Sequence, residues 1–347
     1  MARQSTSGWP VRRPRLRGLP CLTALLAAFA LGASGLNAPA RAQAGTGKVA
    51  QALDATFREW MRQHDVDTGS LAAMKDGVIV KSFGYGGLRP GQPARVASLS
   101  KAITAVCIAR LVDDGRLSFT TPLATVLANT FRRFGNPVDP RFKTVTIEQL
   151  LMHRAGFARE PRPGPRAHDI AGMYYKALAT PLASDPGREM SYSNIGYLTL
   201  GVVVEAVTGS DYERYCRGAA LAPMKAAASI DPQLRDRAPN GGWRVSAADY
   251  AKFLQVFEPD AGVLGPVSRK WLESRNERPA YGLGIYLRRT ANGFVFSHAG
   301  KSNADEGSGS YALKFDNGWT AVVTFEGDVR RAGGDLHRRL EAAVSRI

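Results

Sequence analysis

Ser98 and Lys101 stand three residues apart in the run Ala97-Ser-Leu-Ser-Lys101-Ala-Ile-Thr104. On a helix that spacing puts both side chains on one face. A serine hydroxyl is a weak nucleophile until a neighbouring base takes its proton, and a lysine amine is a base only when burial or a nearby cation keeps it neutral. If the helix begins near Ser98, the unpaired N–H groups of its first turn also favour negative charge growing on the serine oxygen. A Ser-x-x-Lys pair by itself arises by chance on the order of once in a chain this long. Its meaning depends on what stands with it.

Two later segments carry compatible chemistry. Ser191-Tyr192-Ser193-Asn194 opens an apolar helix, where a phenol could point into a cleft and Asn194 could cap the helix or offer its amide to a substrate carbonyl. Ser297-His298-Ala299-Gly300 ends a predicted strand, and glycine there would let another backbone or a substrate approach closely. Taken singly, Tyr192 reads as a packing residue, Asn194 as a cap and His298 as a satisfied structural histidine.

The elements that must position these groups fall into two kinds. Asp76-Gly77 separates Ser70–Lys75 from Val78–Phe83, Asn292-Gly293 separates Leu283–Arg288 from Phe294–His298, and Asn317-Gly318 separates Tyr311–Phe315 from Trp319–Phe325. Asn-Gly and Asp-Gly supply the positive φ angles of tight hairpins, so these pairs predict an antiparallel sheet split between the two ends of the chain. Between the halves the pattern is helical: the Ser98 segment, Thr146–Met152, Asn194–Val207, Tyr212–Cys216 and Ser246–Phe257. Thr146-Ile-Glu-Gln149 and Ser246-Ala-Ala-Asp249 carry capping signals, and Gly209 suits a helix end. Val49–Gln63 and Asp335–Val344 have apolar stripes able to cover one sheet face. The fold class expected is α/β of the α+β type: an antiparallel sheet domain from 43–115 and 280–347, with a mostly helical domain, 116–279, inserted. Arg159–Pro165 reads as a surface loop.

The 347 residues suffice for a well-buried core. Residues 1–42 combine an arginine-rich start, an apolar run from Leu22 to Leu36 and the small-x-small site Ala40-Arg-Ala42, the pattern of an export signal peptide. Removing its six arginines lowers the formal charge from +16 to +10. The remaining arginines are scattered, with no dense basic run interleaved with aromatics, which argues against nucleic-acid binding. No later stretch is long and apolar enough for a membrane span. Cys107 and Cys216, far apart in sequence, read as separate buried thiols. The five histidines show no metal-binding spacing, and neither a metal nor another cofactor is expected.

In this order, Ser98-x-x-Lys101, Tyr192-x-Asn194 and His298-x-Gly300 resemble the serine β-lactamase and penicillin-binding protein superfamily, in its class C β-lactamase, D-alanyl-D-alanine carboxypeptidase and esterase branch. Leu150-Leu-Met-His153-Arg-Ala-Gly156-Phe157, Gly241-Gly-Trp-Arg-Val-Ser246-Ala-Ala-Asp249 and Tyr281-Gly-Leu-Gly284 are similar to its connecting segments. The resemblance runs from about residue 50 to the end of the chain. It implies acyl-enzyme hydrolysis: Ser98 as nucleophile, Lys101 and Tyr192 sharing the base role, Asn194 orienting the substrate carbonyl, and an oxyanion hole from the backbone N–H groups of Ser98 and Lys301. It also implies a periplasmic or secreted bacterial protein acting on a small-molecule or peptidoglycan-type acyl substrate. The alternative of a Gly-x-Ser-x-Gly hydrolase lacks that motif.

Many members carry lysine where His298 stands. A histidine, with an unperturbed pKa of about 6.5, is a weaker anchor for a substrate carboxylate near neutral pH. The departure favours an esterase or carboxypeptidase over an efficient β-lactamase. A non-catalytic penicillin-binding-like sensor or an envelope-binding protein is the rival reading. Asp305 and Glu306 read as solvated loop residues, and His153 as a structural support.

Overall fold

The computed structural model describes residues 40–157, 170–302, 307–327 and 335–345. The expected signal peptide core, the Arg159–Pro165 loop and the Asp305-Glu306 pair lie outside them.

All three Gly-containing turns close hairpins. Strands β1 (Thr68–Lys75) and β2 (Val78–Tyr85) pair antiparallel around Asp76-Gly77. Downstream, the sheet gains β6 (Ala280–Gly282), β7 (Ile285–Thr290), β8 (Gly293–Ser302), β9 (Ser308–Lys314) and β10 (Trp319–Glu326), numbered after the small strands β3 (Ala94–Arg95), β4 (Ala228–Ile230) and β5 (Trp243–Val245). Among the described residues the main sheet has seven strands in the order β2-β1-β10-β9-β8-β7-β6. The split predicted from sequence is therefore closed by β1 pairing with β10 over eight residue pairs, Thr68 with Glu326 through Lys75 with Trp319.

The two-residue period of a strand sorts this sheet between two cores. Leu71, Ala73, Leu313, Ala321 and Val323 join helices α1 (Ala40–Gln63) and the C-terminal helix Asp335–Ser345, through Leu53, Phe57, Trp60, Leu336 and Leu340. Ala72, Met74, Ala312 and Val322 face the helical layer. With both faces covered, β1 is buried at every inner position, which explains why its sequence shows no alternation of apolar and polar residues.

The centre of the helical layer is α2 (Ser100–Asp113), buried nearly all round, as an apolar helix without a polar face must be. Around it stand α3 (Ile147–Leu151), α4 (Asn194–Thr208), α5 (Tyr212–Cys216) and α6 (Ala247–Leu254). The capping signals are realised. Thr146 and Gln149 form a reciprocal capping box, Ser246 Oγ accepts from the Asp249 N–H, and Gly209 ends α4 in the left-handed conformation at φ 67°.

Three findings differ from the sequence expectation. Cys107 and Cys216 are not separate thiols: α2 and α5 bring their Cα atoms to 5.5 Å and the sulfurs form a disulfide. The strand expected at Leu283–Arg288 begins two residues later, because Leu283 and Gly284 adopt positive φ and form the tight turn of a β6–β7 hairpin. The second sheet, β3-β5-β4, carried no alternating signal in its two- and three-residue strands. It matters to the site because Trp243 N–H donates to Ser100 Oγ and Val96 N–H to Trp243 O, which holds the entry to α2.

Gly284 shows how tightly that entry is wedged. A β-carbon there would lie 2.4 Å from Ala102 N and 2.5 Å from Lys101 C, on backbone at φ 77°. Gly87 shares the left-handed backbone, φ 83°, but faces open space. In urea unfolding, Gly87→Ala should cost about 1 kcal/mol from backbone strain alone, and Gly284→Ala about 3 kcal/mol or more, because the clash adds to the strain.

Candidate active site

The chain enters α2 through a sharp turn. Ala97 sits at φ 46°, a left-handed conformation that costs a residue with a β-carbon on the order of 1–2 kcal/mol, and Ala97–Leu99 form a short 3-10 turn running into the helix. Ser98 is thereby half-buried at the helix mouth, while Lys101, one turn on, is fully buried.

A buried ammonium must be matched by acceptors. Lys101 Nζ donates to Ser98 Oγ at 3.1 Å, Asn194 Oδ1 at 2.6 Å and the Asn240 carbonyl at 2.9 Å. These are three acceptors for the three N–H bonds of a charged lysine, which has no lone pair of its own. The same nitrogen lies 4.9 Å from the centroid of the Tyr192 ring, within cation–π range.

Tyr192 reaches this position because its backbone is clamped on both sides by one residue. The His153 carbonyl accepts from Ser191 N–H at 2.8 Å, and His153 Nδ1 accepts from Ser193 N–H at 3.1 Å. The His153 ring also packs on Tyr192 with centroids 4.2 Å apart. An Nδ1 that accepts leaves the proton on Nε2, which is buried and finds no partner among the described residues. The sequence reading of His153 as a support was right in kind and understated in degree. Ser193, whose Oγ accepts from Ile195 N–H, is the cap of α4, so Asn194 is released from the capping role considered above and turns its carbonyl oxygen on Lys101.

His298 closes the opposite wall. Its Nδ1 lies 2.8 Å from the Ala299 carbonyl and its Nε2 3.3 Å from the Tyr281 hydroxyl. The tautomer that satisfies both contacts carries its proton on Nδ1 and accepts from Tyr281. Burial, with the Lys101 charge adding to it, pushes the His298 pKa down to about 3. Burial and Lys101 likewise hold His153 well below the usual histidine range. Both imidazoles are thus neutral around physiological pH.

Gly300 follows on β8 against the Ser98 turn. A β-carbon there would meet Ser310 Oγ at 2.2 Å, Val96 O at 2.4 Å and Ser98 N at 3.2 Å. Pairing of β8 with β7 ends at Ser297, whereas pairing with β9 runs on to Ser302. From His298 onward one edge of β8 is therefore uncovered by β7. Lys301 comes next on that strand, opposite Gly309, with an exposed side chain.

The structure brings together Ser98, Lys101, Tyr192, Asn194, His298 and Gly300, from the turn into α2, α2 itself, the start of α4 and β8. Sequence reasoning did not single out Asn240, which supplies a carbonyl to Lys101 and donates its side-chain amide to the Asn194 carbonyl at 3.2 Å. Nor did it assign a role to Tyr281, although the Tyr281-Gly-Leu-Gly284 segment that carries it was noticed. Among the described residues, no group of three or more His, Cys, Asp or Glu is placed to hold a metal ion, and no helix is long and apolar enough to cross a membrane.

Residues 53–345 match the family model described as "Beta-lactamase". The "Protein flp" of Staphylococcus aureus (strain NCTC 8325 / PS 47) is 24% identical over 186 residues, 50% of this chain and 36% of that protein. A "Probable fimbrial assembly protein FimD, serogroup H1" of Dichelobacter nodosus is 30% identical over 138 residues, 37% of this chain and 34% of that one. The chain thus matches about a third of the length of these curated relatives. Among solved structures, SurE with D-Leu superposes with a TM-score of 0.70 at 23% identity, covering 87% of this chain and 77% of that one. A D-stereospecific amidohydrolase from Streptomyces sp. gives 0.68 at 20%, covering 87% and 99%, and a β-lactamase/D-alanine carboxypeptidase from Pseudomonas syringae gives 0.70 at 15%, covering 86% and 98%. At these identities the superpositions establish the fold.

A histidine whose folded-state pKa lies below its unfolded value of about 6.5 binds fewer protons folded than unfolded. Stability that depends on His298 is therefore full above about pH 6.5 and falls as pH drops from there towards 3. The His298 ring Hε1 resonance should stay fixed from pH 8 to pH 4.5, and the acid slope of unfolding free energy should flatten in His298→Gln, without vanishing while His153 remains. A resonance that titrates near pH 6.5 would contradict the buried, neutral assignment.

Proposed function

The chain belongs to the β-lactamase family of serine hydrolases, and from that premise we propose that it hydrolyses an ester, or a peptide-type amide, through an acyl-enzyme on Ser98. The supporting observation is the Lys101 amine held between Ser98 Oγ and Asn194 Oδ1 beneath the Tyr192 ring. Ser98 Oγ attacks the substrate carbonyl, and its proton passes to the Tyr192–Lys101 pair. Lys101, with its N–H bonds already committed to three acceptors, contributes chiefly as a fixed positive charge that favours phenolate on Tyr192. The carbonyl oxygen gains negative charge against the N–H of Ser98 and that of Lys301 on the uncovered edge of β8. Collapse expels the alcohol or amine with the borrowed proton, and water repeats the sequence to free Ser98.

The neutral His298 supports the esterase side of the family over an efficient β-lactamase, because it presents no charge to a lactam carboxylate; a carboxypeptidase would have to hold its substrate's carboxylate elsewhere. A D-configured amide is the natural peptide candidate, given the D-leucine complex and the D-stereospecific and D-alanine enzymes that share the fold. Export fits both the N-terminal leader pattern and the Cys107–Cys216 disulfide, since such bonds persist in oxidising compartments.

A fluorophosphonate probe should label the protein once, on Ser98, as read by peptide mass spectrometry. Ser98→Ala should abolish labelling and lower p-nitrophenyl ester turnover at least about 1,000-fold. Tyr192→Phe should lower kcat by about 100-fold or more with little change in KM, as expected for loss of proton transfer. Labelling that persists in Ser98→Ala would remove the proposal.

A further inference from the structure

A small pocket of about 40 Å³ opens beside the site, lined in part by Met152, Arg154, Met190, Glu277, Arg278 and Tyr281. One of its lining residues also touches a site residue. Tyr281 is the residue that faces His298, Met152 precedes His153, and Met190 stands two residues before Tyr192. Tyr281 is therefore common to the pocket and to the aromatic wall of the site.

Its charge is unbalanced. The Glu277 carboxylate is engaged: one oxygen lies 3.4 Å from the Arg275 guanidinium and the other accepts from Asn276 N–H at 3.2 Å. Arg154 spends one long contact, 3.4 Å, on the Gly187 carbonyl and has no acidic partner among the described residues. Arg278 is exposed and has neither hydrogen bond nor ion pair among them. Two arginines thus stand among the residues lining a hollow that Met152, Met190 and Tyr281 also line, a combination suited to an anionic group attached to an apolar stem. The site proper offers a carboxylate nothing comparable at His298.

We propose that this pocket is a substrate subsite for a carboxylate, held by Arg278 with Arg154 in support, on a short apolar linker from the scissile bond. The inference rests on the Ser98 hydrolase reading and adds a substrate class to it: acyl compounds bearing a free carboxylate, recognised beyond Tyr281 and not at the strand bearing His298.

Three p-nitrophenyl or aryl esters of similar size test it: p-nitrophenyl butyrate as the neutral reference, mono-p-nitrophenyl glutarate with the carboxylate on the acyl side, and 4-carboxyphenyl butyrate with it on the leaving group. One of the two charged esters should be preferred over the neutral one about tenfold in kcat/KM, which also identifies the side. Arg278→Gln should remove about tenfold of that ratio, and Arg278→Glu should invert it. Arg235→Gln, an exposed arginine elsewhere with the same change in net charge, should leave the ratio as it is. Calorimetric binding of glutarate to Ser98→Ala, weakened about tenfold by adding Arg278→Gln, reads the pocket without turnover. Equal treatment of all three esters, or a ratio indifferent to Arg278, overturns the subsite while leaving the hydrolase intact. Glutarate binding that depends on Arg278, without hydrolysis of any ester, sustains the subsite and sinks the hydrolase reading.

Discussion

The positive charge of Lys101, taken wholly out of water, is the constraint on which the rest of this structure turns. Burying an ammonium costs several kcal/mol even after the protein relaxes around it, unless hydrogen bonds replace the lost hydration. The replacements come from three separate parts of the chain: Ser98 in the turn that leads into α2, Asn194 at the start of α4, and the Asn240 carbonyl. Each of the three offsets part of the lost hydration of the charge. The Asn240 amide in turn holds the Asn194 backbone carbonyl, so two of the acceptors brace each other. Packing the helical layer correctly and satisfying Lys101 are one requirement.

Close approach by glycine lets the sheet take part. Gly300 on β8 and Gly284 in the β6–β7 turn each leave room where a β-carbon would strike the entry to α2. Ser310 Oγ donates to the Val96 carbonyl at 2.7 Å, tying β9 to the same turn, and the small sheet holds it from the other side through Trp243. Fixed on every side, the chain tolerates a left-handed Ala97, and that turn presents Ser98 at the mouth of the helix. Local strain is sustained by surrounding packing here, as expected where a side chain must be held at a fixed angle.

The parts of this arrangement that were readable in sequence are those encoded over a few consecutive residues. Asp76-Gly77, Asn292-Gly293 and Asn317-Gly318 dictate hairpins by backbone sterics, and Thr146 to Gln149 dictates a helix start by hydrogen bonding. The Ser98–Lys101 spacing is likewise local. What escaped depends on packing between distant segments. The strands of the small sheet are too short to show a period, the Cys107–Cys216 bond needs the crossing of α2 and α5, and Asn240 acts through a backbone carbonyl that any residue could supply. Asn194 shows the limit most plainly. Its position at a helix start suggested a cap, but Ser193 had already filled that role, and only the buried lysine explains the amide.

Two neutral histidines beside one ammonium follow from the same charge economy. Two unit charges about 6 Å apart repel by roughly 3 kcal/mol at the effective dielectric of a protein interior, and desolvation of a second cation would add to that. His153 and His298 avoid both costs by staying neutral, His153 accepting from Ser193 N–H and His298 contacting Tyr281 and Ala299. A lysine at position 298 would have to keep its charge beside Lys101 or reach past it to solvent, and Tyr281 would lose its partner. The histidine therefore changes more than one contact. It leaves that part of the wall facing Ser98 uncharged, so that discrimination by substrate charge falls to cations in contact with water, Lys301 on β8 and the arginines farther out, which carry their charge without penalty.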